Sequence, residues 1–150
     1  WYVVVPLAAR QRADRRALSR LLWLLVAAGL VFGVTCGMLF GLGANRLIPL
    51  IFGDQYDDAV PLLQIMALIP LLKSVNFCWA LLMVVYDAQG LRARLLAGST
   101  VFNILANLVA ITAFGVAGAA WINLITELLL LVLYGYGARR VWTRSMPVMV

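Results

Sequence analysis

The 150-residue sequence is 65% hydrophobic and 12% charged, with a net charge of +6 and a mean hydropathy of +0.99, whereas soluble domains run near half apolar and a quarter charged. A water-soluble core of this length cannot hide that much apolar surface, so the composition excludes an ordinary soluble globule and requires lipid. With no histidine and two cysteines, histidine-based acid/base chemistry and transition-metal sites lack their usual groups; no enzyme and no metal centre are expected.

In chain order, Trp1–Ala9 is apolar and reads as the tail of an earlier helix ending near Pro6. The chain starts inside this stretch without Met, which reads as a fragment of a longer protein. About 20 helical residues cross 30 Å of hydrocarbon, and only helices or closed barrels satisfy their own backbone there. Four segments qualify, and they predict an all-α polytopic transmembrane bundle. The first runs from Leu21 to about Ala44 without a charge. The second, Ala59 to Tyr86, is interrupted by Lys73. The third spans Leu95 to Phe114, and the fourth spans Val116 to Ala138 and contains Glu127.

Between the first two spans, Asn45 to Asp58 mixes Arg46, Pro49 and Phe52 with Asp54, Tyr56, Asp57 and Asp58, and is expected to lie along the membrane interface. Gly90 reads as turn punctuation. The third and fourth spans are separated by little more than Gly115, which predicts a tight antiparallel hairpin. The small residues Ala117, Gly118, Ala119 and Ala120 permit close approach there.

Charge placement decides what the basic balance is for. Arg10, Arg12, Arg15, Arg16 and Arg20 precede the first span, Arg92 and Arg94 lie between the second and third, and Arg139, Arg140 and Arg144 follow the fourth. Those are ten of the twelve basic residues. Four spans alternate sides, so these three segments share one side, and cytoplasmic loops accumulate Lys and Arg. Both chain ends are therefore expected in the cytoplasm. A nucleic-acid partner would need a basic stripe interleaved with exposed aromatics, and none is present. Trp23, Trp79, Trp121, Tyr134, Tyr136 and Trp142 read as interface anchors and packing. Cys36 and Cys78 fall inside apolar runs as small hydrophobes, with no disulfide expected.

Two ionisable residues stand near the middle of spans, where a charge costs roughly 2.5–3.5 kcal/mol. Lys73 and Glu127 either bridge the second and fourth spans or line a polar transport pathway. In the second case Lys73, with Asn76 one turn away on the same face, offers a positive charge to an anionic substrate. Residues on the hairpin lie at equal depth when their numbers share a constant sum. With the turn at Gly115, Asn103 then faces Glu127 and Asn107 faces Asn123, and each helix carries its own two residues at i, i+4 on one face. These four form a candidate coupling site for H⁺ or Na⁺. The alternative is interhelical amide bonding, worth about 0.6–2 kcal/mol per contact.

The run Leu47-Ile48-Pro49-Leu50-Ile51-Phe52-Gly53-Asp54-Gln55-Tyr56-Asp57-Asp58-Ala59 resembles the loop and helix start of polysaccharide-biosynthesis flippases, in the O-antigen branch of the multidrug/oligosaccharidyl-lipid/polysaccharide exporter superfamily. Asn103-Ile104-Leu105-Ala106-Asn107-Leu108, followed by Phe114-Gly115-Val116-Ala117-Gly118-Ala119-Ala120, is similar to that family's paired asparagines and Gly-x-x-Gly-Ala-Ala turn, although Thr112-Ala113 stands where the family often has Pro.

The resemblance covers most of the chain, from Arg10 to Arg144. It implies the C-terminal part of a two-lobed exporter of about a dozen helices in a bacterial inner membrane, moving a polyprenyl-pyrophosphate-linked oligosaccharide. The implied partners are the bilayer, the lipid-linked oligosaccharide, a polysaccharide polymerase and glycosyltransferases, and the implied cavity is cationic, which suits Lys73. The competing readings are a multidrug/cation antiporter of the same superfamily and a non-transporting membrane scaffold.

Overall fold

The computed structural model describes residues 4–11 and 14–144; Arg12 and the first residues of the Trp1–Ala9 segment lie outside these. Among the described residues the chain is all α: α1 (Val4–Arg10), α2 (Arg15–Phe52), a 3₁₀ turn (Asp54–Ala59), α3 (Val60–Met66), α4 (Ile69–Val85) and α5 (Gln89–Arg144). Helix α1 runs through Pro6 to Arg10 and does not end near Pro6.

Among the described residues, three stretches are long and apolar enough to cross a membrane: Arg15–Phe52, Asp54–Val85 and Gln89–Arg144. That is the make-up of a membrane protein. The third stretch is broken at Gly115, where φ 62° and ψ −146° are open only to glycine. Its two arms, residues 89–114 and 116–144, fold back on one another, and each exceeds the roughly 20 residues a crossing needs.

Helix α2 starts where Asp14 caps it, its carboxylate accepting from the N–H groups of Arg16 (2.9 Å) and Ala17 (3.1 Å). At 38 residues it is about 57 Å long at 1.5 Å per residue. The expected connection from Asn45 to Asp58 is therefore corrected: residues 45–52 continue the helix through Pro49. Only Gly53, at φ 89°, and the 3₁₀ turn make the corner, with the Phe52 and Tyr56 rings edge-to-face at 6.0 Å.

The second predicted span lies in one membrane-crossing stretch, but its helix is interrupted at Ala67 and Leu68, between α3 and α4. Pro70 has no N–H for the carbonyl of Met66, and its ring crowds that carbonyl. The turn expected at Gly90 falls earlier. Asp87 takes the left-handed conformation, at φ 58°, and Gly90 lies inside α5.

A glycine ridge explains how α2 meets its neighbours. Gly29, Gly33, Gly37 and Gly41 recur every fourth residue, so they form one stripe along the helix. A Cβ on Gly33 would stand 2.5 Å from the backbone Cα of Leu71, one on Gly29 2.9 Å from Ser74 Cβ, and one on Gly37 3.1 Å from the Ala67 carbonyl oxygen. Bare backbone lets α2 lie directly on α4 and the Met66–Ile69 kink, the small-residue contact that serves where lipid removes the hydrophobic drive. Gly118 does the same at the hairpin, where a Cβ would fall 2.3 Å from the Ala110 carbonyl oxygen.

The main buried cluster gathers at one end. Ala8 of α1, Leu18 of α2, Ala80–Met83 and Val85 of α4, and Leu130, Tyr134 and Ala138 of α5 pack together, flanked by Leu22, Leu91, Leu95 and Trp142. The three basic segments flank these same helix ends. Arg15 stands 4.9 Å over the Trp142 ring and donates to the Trp142 carbonyl at 3.4 Å.

Candidate functional site

Lys73 follows directly on the Pro70 kink, and Glu127 lies in the second arm of α5. The Lys73 ammonium donates to Glu127 Oε1 at 2.6 Å. Asn76, one turn further along α4, is buried and donates its Nδ2 to Glu127 Oε2 at 3.0 Å and to the Glu127 carbonyl at 3.1 Å. Both carboxylate oxygens are thus engaged by α4. The pair is unequal: the Lys73 side chain is 64% exposed and that of Glu127 12%. The carboxylate is held inside, and the ammonium stands at the surface of the bundle.

A second network joins the two arms of α5. Asn103 Nδ2 donates to Thr126 Oγ1 at 2.8 Å and, more weakly, to Asn123 Oδ1 at 3.4 Å. Asn107 Nδ2 donates back along its own helix to Asn103 O (2.9 Å) and Asn103 Oδ1 (3.1 Å). The hydroxyl of Thr126 donates in turn to the Ile122 carbonyl at 2.7 Å.

The pairing inside the four-residue cluster differs from the one the depth count gives. Asn103, Asn107 and Asn123 are joined, but Asn103 meets Asn123 and Thr126 instead of Glu127, and Asn107 bonds Asn103 instead of Asn123. Successive helical residues point about 100° apart. Thr126 and Glu127 consequently flank the Asn123 direction on opposite sides, Thr126 toward the first arm and Glu127 toward α4. Depth counting places residues at a level but does not choose between those sides.

The two networks nevertheless share a groove of about 380 Å³, lined by Lys73, Ser99, Thr100, Asn103, Asn123, Thr126 and Glu127, with Met66, Ile69, Leu96 and Leu130 as its apolar walls. Lys73 also borders a second, apolar groove beside Gly29, Phe32, Ser74 and Phe77. The buried carbonyl oxygens Asn76 Oδ1 and Asn107 Oδ1 accept no hydrogen bond. The groove offers one accessible cation, one shielded carboxylate and a row of amides and hydroxyls. Such a set can hold an anion beside Lys73, as a compact point charge does, and can bind hydroxyl groups along the amide row.

Thr126 and Ser99 were not singled out from the sequence. Thr126 carried a signal in its i+3 spacing from Asn123, which puts both on one helix face; Ser99, buried with its hydroxyl on the Leu95 carbonyl, stands one turn before Asn103. No family model, curated protein or solved structure matches this chain.

Proposed function

We propose that this chain forms part of a bacterial inner-membrane exporter that carries a polyprenyl-pyrophosphate-linked oligosaccharide across the bilayer for polysaccharide or O-antigen biosynthesis, with both its ends in the cytoplasm. The observation that carries the reading is the exposed ammonium of Lys73 beside a polar groove midway along apolar helices. A lysine at that depth is costly unless it faces protein or water, and an accessible one suits a pathway for an anionic headgroup. The flippase-like motifs around Phe52–Ala59 and Asn103–Ala120 supply the substrate class.

In this reading the pyrophosphate competes with Glu127 for Lys73, and Asn76 keeps Glu127 in place while Lys73 turns to the substrate. Coupling to H⁺ belongs to the same pair: a proton on Glu127 removes the charge that holds Lys73 and frees the ammonium. Na⁺ coupling has weaker support, because both Glu127 oxygens already accept hydrogen bonds. A polysaccharide polymerase and glycosyltransferases are the partners the reading entails.

The engagement of Glu127 by both Lys73 and Asn76 favours one second reading, a scaffold in which the pair only clamps α4 to α5. The charge swap Lys73→Glu with Glu127→Lys separates the two. A clamp is largely restored by the swap, because the bridge re-forms with its charges exchanged and Asn76 can turn its unengaged Oδ1 toward the new ammonium. A transport site is not, because the accessible group becomes an anion. Translocation of a fluorescent polyprenyl-pyrophosphate saccharide in proteoliposomes, read beside thermal stability, decides between them.

A further inference from the structure

We infer that the basic end of the bundle holds a site for one anionic phospholipid, in the groove between α2, α4 and the second arm of α5. The site is separate from the Lys73 groove and does not depend on the transport reading. The groove has a volume of about 330 Å³ and is lined by Ser19, Trp23, Val26, Trp79, Trp142 and Arg139, among others. On α2 it descends from Ser19 to Val26, about 10 Å at 1.5 Å per residue. It therefore starts at the predicted boundary of the membrane and reaches down into the apolar region.

Its chemistry is graded along that depth. At the lower end Val26 and Val75 offer only hydrocarbon. At the upper end Arg139 is exposed, and Arg15 lies over the outer tryptophan, Trp142. Three indole rings line the wall, the residue type that settles at the headgroup level of a bilayer. An acyl chain fits the lower wall, and a phosphate at the top meets a guanidinium, which binds phosphate oxygens through its fork of N–H donors.

Charge complementarity selects an anionic lipid over a zwitterionic one. Among the described residues, the three segments that meet at this end carry nine basic residues and two acids, Asp14 and Asp87, and the Asp14 carboxylate is occupied in capping α2. Free phosphate alone would leave the apolar wall unfilled.

The test uses the whole chain in bilayers containing lipids brominated on the acyl chain, which quench tryptophan on contact. Trp79 is kept as the sole tryptophan, the others being replaced by phenylalanine. Brominated phosphatidylglycerol is expected to quench it with about fivefold preference over brominated phosphatidylcholine, the ratio expected of about one basic residue acting on an anionic headgroup. A sole tryptophan placed by Tyr136→Trp, exposed on the second arm of α5 outside the groove, controls for the general attraction of the basic end and is expected to show little preference. Arg139→Gln should bring the Trp79 ratio close to one, and Arg139→Lys should keep most of it.

Equal quenching of Trp79 by the two lipids overturns the site. So does the same anionic preference at Tyr136→Trp, an unchanged ratio in Arg139→Gln, or displacement by inorganic phosphate. The comparison between the two reporter positions stands even if Arg139→Gln fails to fold.

Discussion

Lys73 and Glu127 are joined by a 2.6 Å contact across fifty-four positions of sequence, yet they differ fivefold in exposure, 64% against 12%. The carboxylate belongs to the interior and the ammonium to the surface. In the proposed transport reading the contact is opened from the lysine side, by an anion that reaches the ammonium from the groove.

Lys73→Gln is accordingly expected to lower translocation of a lipid-linked pyrophosphate by about tenfold, the loss of one charge-assisted contact of roughly 1.5 kcal/mol. Lys73→Arg should retain a substantial part, because the charge survives although its geometry changes. Reconstituted translocation at matched protein abundance measures both. Equal rates for wild type and Lys73→Gln would remove Lys73 from the pathway.

The proposed H⁺ coupling places a different demand on Glu127. An imposed H⁺ gradient is expected to accelerate transport by the wild type and to have no effect on Glu127→Gln, which holds a neutral group where protonation would act. An Na⁺ gradient is expected to change neither. Vesicles with each gradient imposed in turn give the answer; gradient dependence that persists in Glu127→Gln excludes this carboxylate as the coupling group.

The glycine ridge predicts stability effects graded by distance. Gly33→Ala places a methyl 2.5 Å from the Leu71 backbone and should cost about 1–3 kcal/mol, as overpacking does. Gly41→Ala meets only the Ala67 side chain at 3.7 Å, so the better helix propensity of alanine, up to about 1 kcal/mol, should leave it neutral or stabilised. Gly115→Ala meets no atom within 4 Å but forces φ 62° on alanine, at about 1–3 kcal/mol of strain. Thermal unfolding in detergent should rank Gly41→Ala above Gly33→Ala and Gly115→Ala; the reverse order would show that the ridge contact is not tight.

Topology is checked by labelling single introduced cysteines in a background lacking Cys36 and Cys78. An impermeant thiol reagent outside intact cells is expected to reach Asp57→Cys and not Arg94→Cys, since the basic segments share one side. Labelling of Arg94→Cys alone means the opposite orientation.

The sequence by itself determined the all-α, lipid-facing character, because apolar composition and run length leave few alternatives once backbone groups must be satisfied without water. It also located the turn at Gly115, where only glycine can take the required conformation, and the two ionisable residues that needed an explanation. Charge-free run length did not locate the end of α2: Arg46 and Pro49 look like loop residues, but a helix tolerates a proline near its end and can extend beyond the hydrocarbon. Nor did hydropathy register the break before Pro70, since kinking changes hydrogen bonding and leaves apolarity untouched. The Gly29–Gly41 stripe was legible in its spacing, but its partner was not, because a small-residue face does not specify what lies on it.

Only the tertiary structure decided that Glu127 turns toward Lys73 and Asn76 while Thr126 turns toward Asn103. Equal depth is a one-dimensional property that can be read along the chain. Which of two neighbouring helices a side chain faces depends on how three helices are arranged around it, and adjacent residues 100° apart can be claimed by different partners.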